Sequence, residues 1–472
     1  MSPNLHSAPP YPPPATHQPP SAPIGGPSSG PLWVNWGLYP KFMDIMPHEP
    51  LEKYVPGGFH PVSLGDALKD GRYTIRHKLG YGGQSTVWLA WDAHGPGAWV
   101  AIKIKSARAS ANGPGQDSEI VALQTLETYY CSIEKTQTQS QARSFIRVFD
   151  TFQHTGPNGV HNCIVTEVLG PTLADLLDEY RPDENTLPPD VVLRVSRQLL
   201  QGLDFTHHAG IAHGDVSPRN ISFTCKNTQA DGNDLFEMVG GEPPTAAYDD
   251  NNNTARPAGL PEQLVACTAW DGWYVDTVED IRLIDWGWSF AAGKTVTVLG
   301  QPNNLRPPET FFEHSFTCKH DLWRAGCVTS PFSCIGDPNH FFIRRQVAKL
   351  GPLPAPWHAK WEEMLVGYKY AEEDAANMPQ ELMEDTFEPR RQEIRTHILN
   401  ADPDLGEDDN EYERDEYSEY DVEALKCLLW PIQGLMRHEP NKRISLQEAA
   451  SSIQWIDHRR EAKDDTNTMS VQ

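Results

Sequence analysis

Several protein classes are excluded by what this 472-residue sequence lacks. No apolar run approaches the ~20 residues that a membrane-spanning helix needs. The eight cysteines form no C-x-x-C pair, which argues against a disulfide scaffold or a zinc site and favours a reducing compartment. The first 40 residues carry no charged side chain and no apolar core segment, so neither a secretory signal nor a mitochondrial presequence is expected.

The sequence also lacks an excess of basic residues. Lys and Arg together number 39 against 64 Asp and Glu, which gives a formal net charge of −25. Because phosphate binding needs a basic footprint, a nucleic acid is not the expected partner. The charge instead favours attraction to cationic partners. Hydrophobic residues make up 39% of the chain, enough for a sizeable core.

The order of sequence patterns indicates a small β-rich lobe followed by a larger helical one. Residues 1–45 are read as a disordered tail, since 1–30 hold ten prolines and few large apolar side chains. A polyproline ligand for an SH3 or WW module is the alternative for that stretch. Residues 73–170 alternate β-rich runs with Gly-rich turns and include one helical stretch at 116–129. Residues 171–457 read as mostly helical, with Gly210 ending a long amphipathic helix.

Two segments interrupt the second lobe. Residues 224–278 contain EPP, DDNNNT and ARPAGLP, and we interpret them as a partly mobile loop insertion. Residues 401–421 carry eleven acidic side chains against one Arg, a pattern typical of a solvated face and less often of a docking surface. Residues 458–472 form a C-terminal tail.

The first candidate for chemistry is the segment LGYGGQSTVWLAWD, in which Gly80 and Gly82 lie between two strands. Glycines at such a turn let backbone N–H groups approach phosphate oxygens, although an ordinary Gly-rich hairpin has the same appearance. Lys103 follows in an apolar strand, VAIKI, either on a solvent face or clamped between nucleotide phosphates and a carboxylate. That carboxylate would be Glu119, on the next helix.

A second group of candidates follows the long helix. In AHGDVSPRNISF, four residues separate Asp215 from Asn220, the spacing of an H-x-D-x-x-x-x-N catalytic loop. One carboxylate there can accept a proton from an attacking hydroxyl, and an amide oxygen a short loop away can bind a metal ion. Asp285 ends the apolar strand of IRLIDWGWSF, where a carboxylate can reach a phosphate-bound Mg²⁺. The plain alternatives are an Asx turn and a turn residue before glycine.

In this order the segments resemble the protein-kinase motifs, with D-x-G in place of D-F-G. RPPE at 306–309 resembles the A-P-E that closes an activation segment. HDLWRAGC resembles the helix start that carries a structural aspartate, here Asp321, and Arg443 resembles the arginine that pairs with Glu309. The resemblance covers residues 73–457 and implies an α+β fold with the two lobes of a protein kinase.

The same resemblance implies a role for each matched residue. Asp215, Lys103 and Glu119 are the implied catalytic residues, and Asn220 and Asp285 the implied Mg²⁺ ligands. ATP is the implied co-substrate, with a site formed by Leu79, Gly80, Gly82, Val87, Ala101, Lys103, Thr166, Glu167 and Leu169.

Residues 57–92, GGFHPVSLGDALKDGRYTIRHKLGYGGQSTVWLAWD, and 156–170, GPNGVHNCIVTEVLG, are similar to the corresponding segments of the SR protein kinases. Those kinases also carry a long spacer inserted within the kinase domain, as residues 224–278 are. This resemblance implies a serine/threonine kinase for basic, Arg-Ser-rich protein substrates. A monomer in the cytoplasm or nucleus is expected, without nucleic-acid or membrane partners.

Three departures leave two alternatives open. The usual His-Arg-Asp is His213-Gly214-Asp215, the usual lysine two positions after the aspartate is Ser217, and the third glycine of the Gly-rich loop is absent. Arg219 is a candidate replacement for that lysine. These departures favour a pseudokinase scaffold, whereas HGD…N with IDW resembles aminoglycoside and choline phosphotransferases. Without an arginine at 214, activity is expected not to depend on activation-segment phosphorylation.

Overall fold

The computed structural model describes residues 38–453, except for gaps at 46, 95–97, 135–141, 181–186, 226–231, 250–254, 274–278, 303–304, 330–342, 345, 348–349 and 367–424. The first 37 residues, the acidic segment 401–421 and the tail 458–472 therefore lie outside the described residues. Within the part of the chain that the structure describes, no helix is long and apolar enough to cross a membrane.

The first lobe is built on one antiparallel sheet in the order β1-β2-β3-β4-β6-β5. The β-branched and aromatic residues that predict these strands alternate between its two faces, and one face buries side chains such as Trp88 and Ile102. The β-rich runs that the sequence indicates in this lobe are strands of this sheet. Its strands are β1 (Ala67–Leu68), β2 (Tyr73–Tyr81), β3 (Ser85–Asp92), β4 (Ala98–Lys105), β5 (Val148–Gly156) and β6 (Gly159–Thr166).

One helix, α1 (Ser118–Glu134), accompanies this sheet. It begins two residues later than the helical pattern predicts, because Asp117 caps it: the Asp117 carboxylate accepts the backbone N–H of Glu119. The buried side of α1, including Leu123 and Leu126, joins the core of the second lobe. The helix thus contacts both lobes.

The second lobe is mainly helical and packs around α3, which ends at His208, two residues before Gly210 with φ +84°. The predicted helix and its glycine stop are confirmed. Among the described residues, the helices of this lobe are α2 (Leu173–Tyr180), α3 (Pro189–His208), α4 (Gly232–Met238), α5 (Glu309–Phe312), α6 (Lys319–Thr329), α7 (His358–Leu365), α8 (Leu429–Leu435) and α9 (Leu446–Ser452).

Short strands hold the loops between the lobes. One small sheet has the order β12-β9-β7 and a second pairs β13 with β8. Each strand is followed or preceded by a candidate site loop, so the pairing brings distant parts of the chain together. The strands are β7 (Leu169–Thr172), β8 (Ile211–Ala212), β9 (Ile221–Thr224), β12 (Ile281–Leu283) and β13 (Phe290–Ala291).

The insertion is more ordered than the loop interpretation predicted. Besides α4, it contains a two-stranded antiparallel sheet of β10 (Thr245–Ala247) and β11 (Gln263–Val265). Leu235 and Val239 of this segment pack against Leu89 on the sheet of the first lobe, and the ring of Phe236 stacks on that of Trp99. These apolar side chains give the segment a buried face, which its polar and Gly/Pro-rich stretches conceal in the sequence.

The boundary of the predicted N-terminal tail also needs a correction. Tyr39 and Ile45, which the sequence interpretation placed in the tail, are buried with Leu264 of the insertion. The reason is again apolar packing, since the aromatic and aliphatic residues after position 37 find partners on β10 and β11. The remaining domain boundaries, 73–170 and 171–457, stay predictions.

Candidate active site

The sheet register places five of the predicted nucleotide-site residues on one face. Val87 lies opposite both Gly80 and Lys103, and Ala101, two residues before that lysine, lies opposite Thr166. Cross-strand partners and residues two apart share a face of a sheet. These five residues are therefore adjacent in the structure.

The Gly-rich turn between β2 and β3 is open. The backbone N–H of Gly82 donates to the carbonyl of Ser85 at 2.8 Å, which closes the hairpin. A Cβ atom built on Gly80 or Gly83 would meet no atom within 4 Å. These glycines therefore leave space beside the turn rather than relieve a packing clash, as a turn that receives a ligand requires.

The linker between the lobes is held by Glu167. Its backbone N–H donates to the carbonyl of Arg147 at 3.1 Å, and its carboxylate accepts the backbone N–H of Arg147 at 2.8 Å. Leu169 begins β7 and is buried. Leu79 differs from the other predicted nucleotide-site residues, because it packs against Leu235 of the insertion and its apolar neighbours.

Lys103 is the centre of an ion-pair set that joins the two lobes. Its ammonium donates to Glu119 on α1 at 2.6 Å and to Asp285, at the end of β12, at 2.8 Å. Burial opposes its charge, but the carboxylates of Asp285 and Glu119 prevail and hold the pKa of Lys103 above its usual value. The ammonium is therefore charged at every physiological pH.

A second lysine on the same strand was missed by the sequence interpretation. Lys105 donates to Asp117 at 2.7 Å and lies 3.3 Å from Glu119, so Glu119 contacts two ammonium groups. Asn162 on β6 donates to the other oxygen of Asp117 at 2.9 Å. The signal was present, since lysines two apart on a strand share a face. The network ties the first turn of α1 to the sheet.

Asp285 lies in the left-handed region, with φ 60° and ψ 71°. A non-glycine residue there is uncommon and marks a functional constraint more often than chance. The neighbouring Lys103 lowers the pKa of Asp285, so this carboxylate is ionised. Trp286 follows and is fully buried, as expected for a packing residue.

The loop after β8 contains the predicted catalytic pair. The amide of Asn220 donates to the backbone carbonyl of Asp215 at 2.7 Å and to its Oδ2 at 3.1 Å. The side chain of Asp215 is largely buried, with 17% of its surface accessible to solvent. Burial, with help from Asp285, raises the pKa of Asp215 to about 6 although Arg324 lowers it.

One buried carboxylate holds the backbone of this loop. Asp321, on α6, accepts the backbone N–H of His213 at 2.8 Å and that of Gly214 at 2.9 Å, together with a bond to His207. Burial opposes the charge of Asp321, but the side chains of His207 and His320 hold its pKa well below the usual value. The predicted structural role of Asp321 fits this geometry.

The ring of His213 then joins the loop to β12. It contacts the backbone N–H of Asp215 at 3.2 Å and the carbonyl of Ile284, the residue before Asp285, at 3.1 Å. One imidazole thus fixes the separation between the two carboxylates. Burial lowers the pKa of His213, and the ring is neutral at physiological pH.

The predicted pair at the end of the activation segment is present. Arg443 donates to both carboxylate oxygens of Glu309, at 2.8 and 2.6 Å. Both side chains are almost wholly buried, and such a bidentate pair fixes geometry as well as charge. It anchors the segment that begins at Asp285.

The cation beside Asp215 is not the predicted one. Arg219, the expected replacement for the missing lysine, is exposed. A fully buried arginine of α6, Arg324, donates to Oδ1 of Asp215 at 2.8 Å. It could have been found from the sequence, because positions three apart, here 321 and 324, share a helix face.

A small β-sheet lobe, a helical lobe and these side chains between them define a two-lobed protein-kinase fold. No protein-family model matches the chain, but curated proteins do. Serine/threonine-protein kinase SKY1 of Saccharomyces cerevisiae is 39% identical over 175 residues, 37% of this chain and 22% of that protein. Serine/threonine-protein kinase SRPK of Physarum polycephalum is 26% identical over 424 residues, 85% of this chain and 89% of that protein.

A human protein extends the comparison. SRSF protein kinase 3 of Homo sapiens is 36% identical over 170 residues, 36% of this chain and 28% of that protein. The chain thus spans less than a third of the yeast and human proteins, and about nine tenths of the Physarum one. The chain is therefore similar to serine/threonine-protein kinases of the SR-protein-kinase type.

Proposed function

We propose that this chain transfers the γ-phosphoryl group of ATP to Ser or Thr hydroxyls of a protein substrate. The observation that carries the proposal is the convergence of Lys103, Asp285 and Asp215 from three distant segments at the junction of the lobes. Phosphoryl transfer through a loose transition state needs positioned charges more than covalent chemistry. The site offers both signs of charge, held by ion pairs and hydrogen bonds.

The nucleotide would bind beneath the sheet of the first lobe. Lys103 would hold the α and β phosphates with Glu119 fixing its direction, and the N–H groups of the Gly80–Gly82 turn would approach the phosphates. The adenine would lie near the linker, against Leu79, Val87, Ala101, Thr166, Glu167 and Leu169.

The donor set suits Mg²⁺. Asn220 and Asp285 offer an amide oxygen and a carboxylate oxygen, the hard oxygen ligands that this ion prefers, and Mg²⁺ sites commonly use one or two protein ligands with phosphates and water. The Nδ2 of Asn220 is already engaged with Asp215, which leaves its oxygen for a ligand. A bound ion would neutralise phosphate charge, and these two residues would hold it.

Asp215 would orient the acceptor hydroxyl and take its proton. A general base works best with a pKa near the operating pH. The pKa of about 6 keeps this carboxylate mostly ionised at neutral pH while leaving it more basic than an exposed aspartate.

For the substrate we infer a basic, Arg-Ser-rich protein, which the chain would meet as a monomer in the cytoplasm or nucleus. One relative is named as a kinase of SRSF proteins, and the net charge of −25 favours a cationic substrate over nucleic acid. The HGD…N and IDW segments support the alternative of a small-molecule phosphotransferase. Ser217 supports the alternative of a scaffold with little activity.

Radiolabelled ATP separates the three functions in one experiment. The full chain is incubated with an Arg-Ser peptide, an aminoglycoside-type alcohol, or no acceptor, beside Asp215→Asn as control. We expect label on the peptide alone, lost in the variant by a factor of ~10³ while ATP affinity changes less than about threefold. Label on the alcohol would favour the small-molecule enzyme, and nucleotide binding without transfer would favour the scaffold.

A further inference from the structure

The loop that carries Asp215 lacks the lysine that protein kinases usually have two residues after this aspartate. Position 217 is a buried serine that begins the short 3-10 turn Pro218–Asn220. A hydroxyl cannot offset the charge of a neighbouring carboxylate as an ammonium does. Arg219 lies on the next turn and is exposed, where solvent screens its charge.

The positive charge beside Asp215 is instead that of Arg324, which lies on α6. Its Nη2 donates to Oδ1 of Asp215 at 2.8 Å, and its Nε donates to the carbonyl of Val216 at 2.6 Å. One guanidinium therefore holds both the side chain of Asp215 and the backbone that follows it. Such a planar donor fixes orientation better than an ammonium.

With Arg324 in place, both oxygens of Asp215 are engaged. Oδ2 accepts the amide of Asn220 at 3.1 Å, and Oδ1 accepts Arg324. A Cβ added to Gly300, on the activation segment, would lie 3.2 Å from the carboxyl carbon of Asp215. Asn220 and Arg324 thus hold the carboxylate by hydrogen bonds, and the backbone at Gly300 packs closely against it.

The other charges near this pair are few. Asp285 acts on Asp215 across the junction of the lobes. Asp321 and Cys327 on its own helix act on Arg324, and Nη1 of Arg324 is buried with no hydrogen-bond partner among the described residues. Burial lowers the pKa of Arg324, yet an arginine keeps its proton at any physiological pH.

We propose that Arg324 is a positioning residue for phosphoryl transfer: from the large-lobe helix α6, it aims the carboxylate of Asp215 and supplies beside it the positive charge that Ser217 does not. The inference rests on the proposed kinase function for its kinetic consequences. Its structural consequence, the position of the Asp215 carboxylate, does not depend on that function.

The test uses the full chain with Arg324→Gln, Arg324→Lys, Ser217→Lys and the double variant Ser217→Lys/Arg324→Gln. Arg324→Gln is expected to lower kcat by about 10–100-fold with the KM for ATP within about threefold. Arg324→Lys keeps the positive charge and is expected to recover part of kcat.

The double variant measures the replacement directly. If Arg324 supplies the missing charge, Ser217→Lys raises kcat at least about tenfold in the Arg324→Gln background and less than about threefold in the wild type. A gain of tenfold or more in the wild type would overturn the inference. The Ser217→Lys single variant keeps Arg324, so this measurement can overturn the inference even if Arg324→Gln fails to fold.

The position of the Asp215 carboxylate separates this inference from the proposed function. Crystal structures of the wild type, Arg324→Gln and Arg443→Gln show where this carboxylate lies in each. We expect it to leave its hydrogen-bonded position in Arg324→Gln and to keep it in Arg443→Gln, a control that removes another buried ion-paired arginine. An unchanged carboxylate in Arg324→Gln overturns the inference. Loss of all transfer in the wild type, with the displacement present in Arg324→Gln, would overturn the kinase proposal alone.

Discussion

The ammonium of Lys103 lies 2.8 Å from Oδ1 of Asp285, although the two residues are 182 positions apart. Lys103 stands on a strand of the small lobe, and Asp285 follows a strand of the large one. The same ammonium contacts Glu119 on α1 at 2.6 Å. A single, partly buried cation thus joins the sheet, the helix and the large lobe at the place where the nucleotide phosphates would bind.

The activity should fall on the acid side with one ionisation near pH 6. Asp215 must be ionised to accept a hydroxyl proton, and burial raises its pKa to about 6. As the pH falls through this value the carboxylate is protonated, so kcat/KM should drop roughly tenfold per pH unit below it. Burial lowers the pKa of His213, and the ammonium of Lys103 lowers that of Asp285.

The measurement is kcat/KM from pH 5 to 8 with a peptide that has no group titrating there. A flat profile down to about pH 5 would contradict Asp215 as the base.

Restoring the usual arginine of the catalytic loop should damage the fold. Gly214 has φ +79°, and a Cβ there would overlap the backbone carbonyl of Trp288. Left-handed strain and the overlap together should lower the free energy of unfolding of Gly214→Arg by about 3 kcal/mol or more. Gly293→Arg is the matched control, since Gly293 has open space and no positive φ, and should change it by less than about 0.5 kcal/mol. Urea denaturation of both variants checks this, and equal stability would count against the strain argument.

The absence of that arginine also predicts activity without a phosphorylated activation segment. A phosphate there would lack its usual cationic partner, while Asp321 already holds the backbone of residues 213 and 214. Phosphatase-treated protein should keep its activity within about twofold. A loss of tenfold or more would show that phosphorylation is needed.

Lys105 should stabilise the fold and the position of α1. Its side chain and that of Asp117 are almost wholly buried, so Lys105→Met leaves Asp117 and Glu119 with one cation fewer. Breaking such a pair costs about 3 kcal/mol, and kcat should fall as Glu119 becomes less constrained. Lys442→Met removes an exposed pair with Glu439 and should cost less than about 1 kcal/mol. Denaturation and kinase assays on both variants test this, and equal effects would contradict it.

Basic substrates should be preferred, and the preference should weaken with salt. The chain carries a net charge of −25, which attracts a cationic peptide and repels an acidic one. At low ionic strength an Arg-Ser repeat peptide should have a kcat/KM at least about tenfold above that of an acidic Ser peptide. The ratio should shrink as salt rises, since screening acts on exposed charges. Equal use of both peptides at low salt would remove the substrate inference.

Residues whose chemistry depends on local spacing could be predicted from the sequence. Lys103, Glu119, Asp215, Asn220 and Asp285 stand in short segments whose strand or helix is readable from periodicity, and the structure brings them together. Arg324 and Lys105 act through contacts that depend on how α6 passes under the loop and how α1 is capped. Their spacing indicates which face of the helix or strand each side chain lies on. The partner of each, Asp215 or Asp117, depends on packing between elements that are separate in the sequence.

The insertion shows the same limit from the other side. Residues 224–278 look like a loop because Gly, Pro and Asn punctuate them. Their few apolar side chains are nevertheless buried, because they pack on an apolar area of the small lobe that includes Leu89 and Trp99. Composition alone does not reveal a partner surface.

The packing of this inserted segment sets where the molecule can be divided for experiments. The backbone N–H of Thr268 bonds to the carbonyl of Lys78, and Leu235 and Val239 cover Leu89. A fragment that ends at residue 170, the predicted end of the first lobe, would lack these residues. It would expose a hydrophobic patch around Leu89, and we expect it to aggregate. Recombinant versions of the small lobe would therefore need residues 232–273 supplied as well, joined by a linker or added as a second polypeptide.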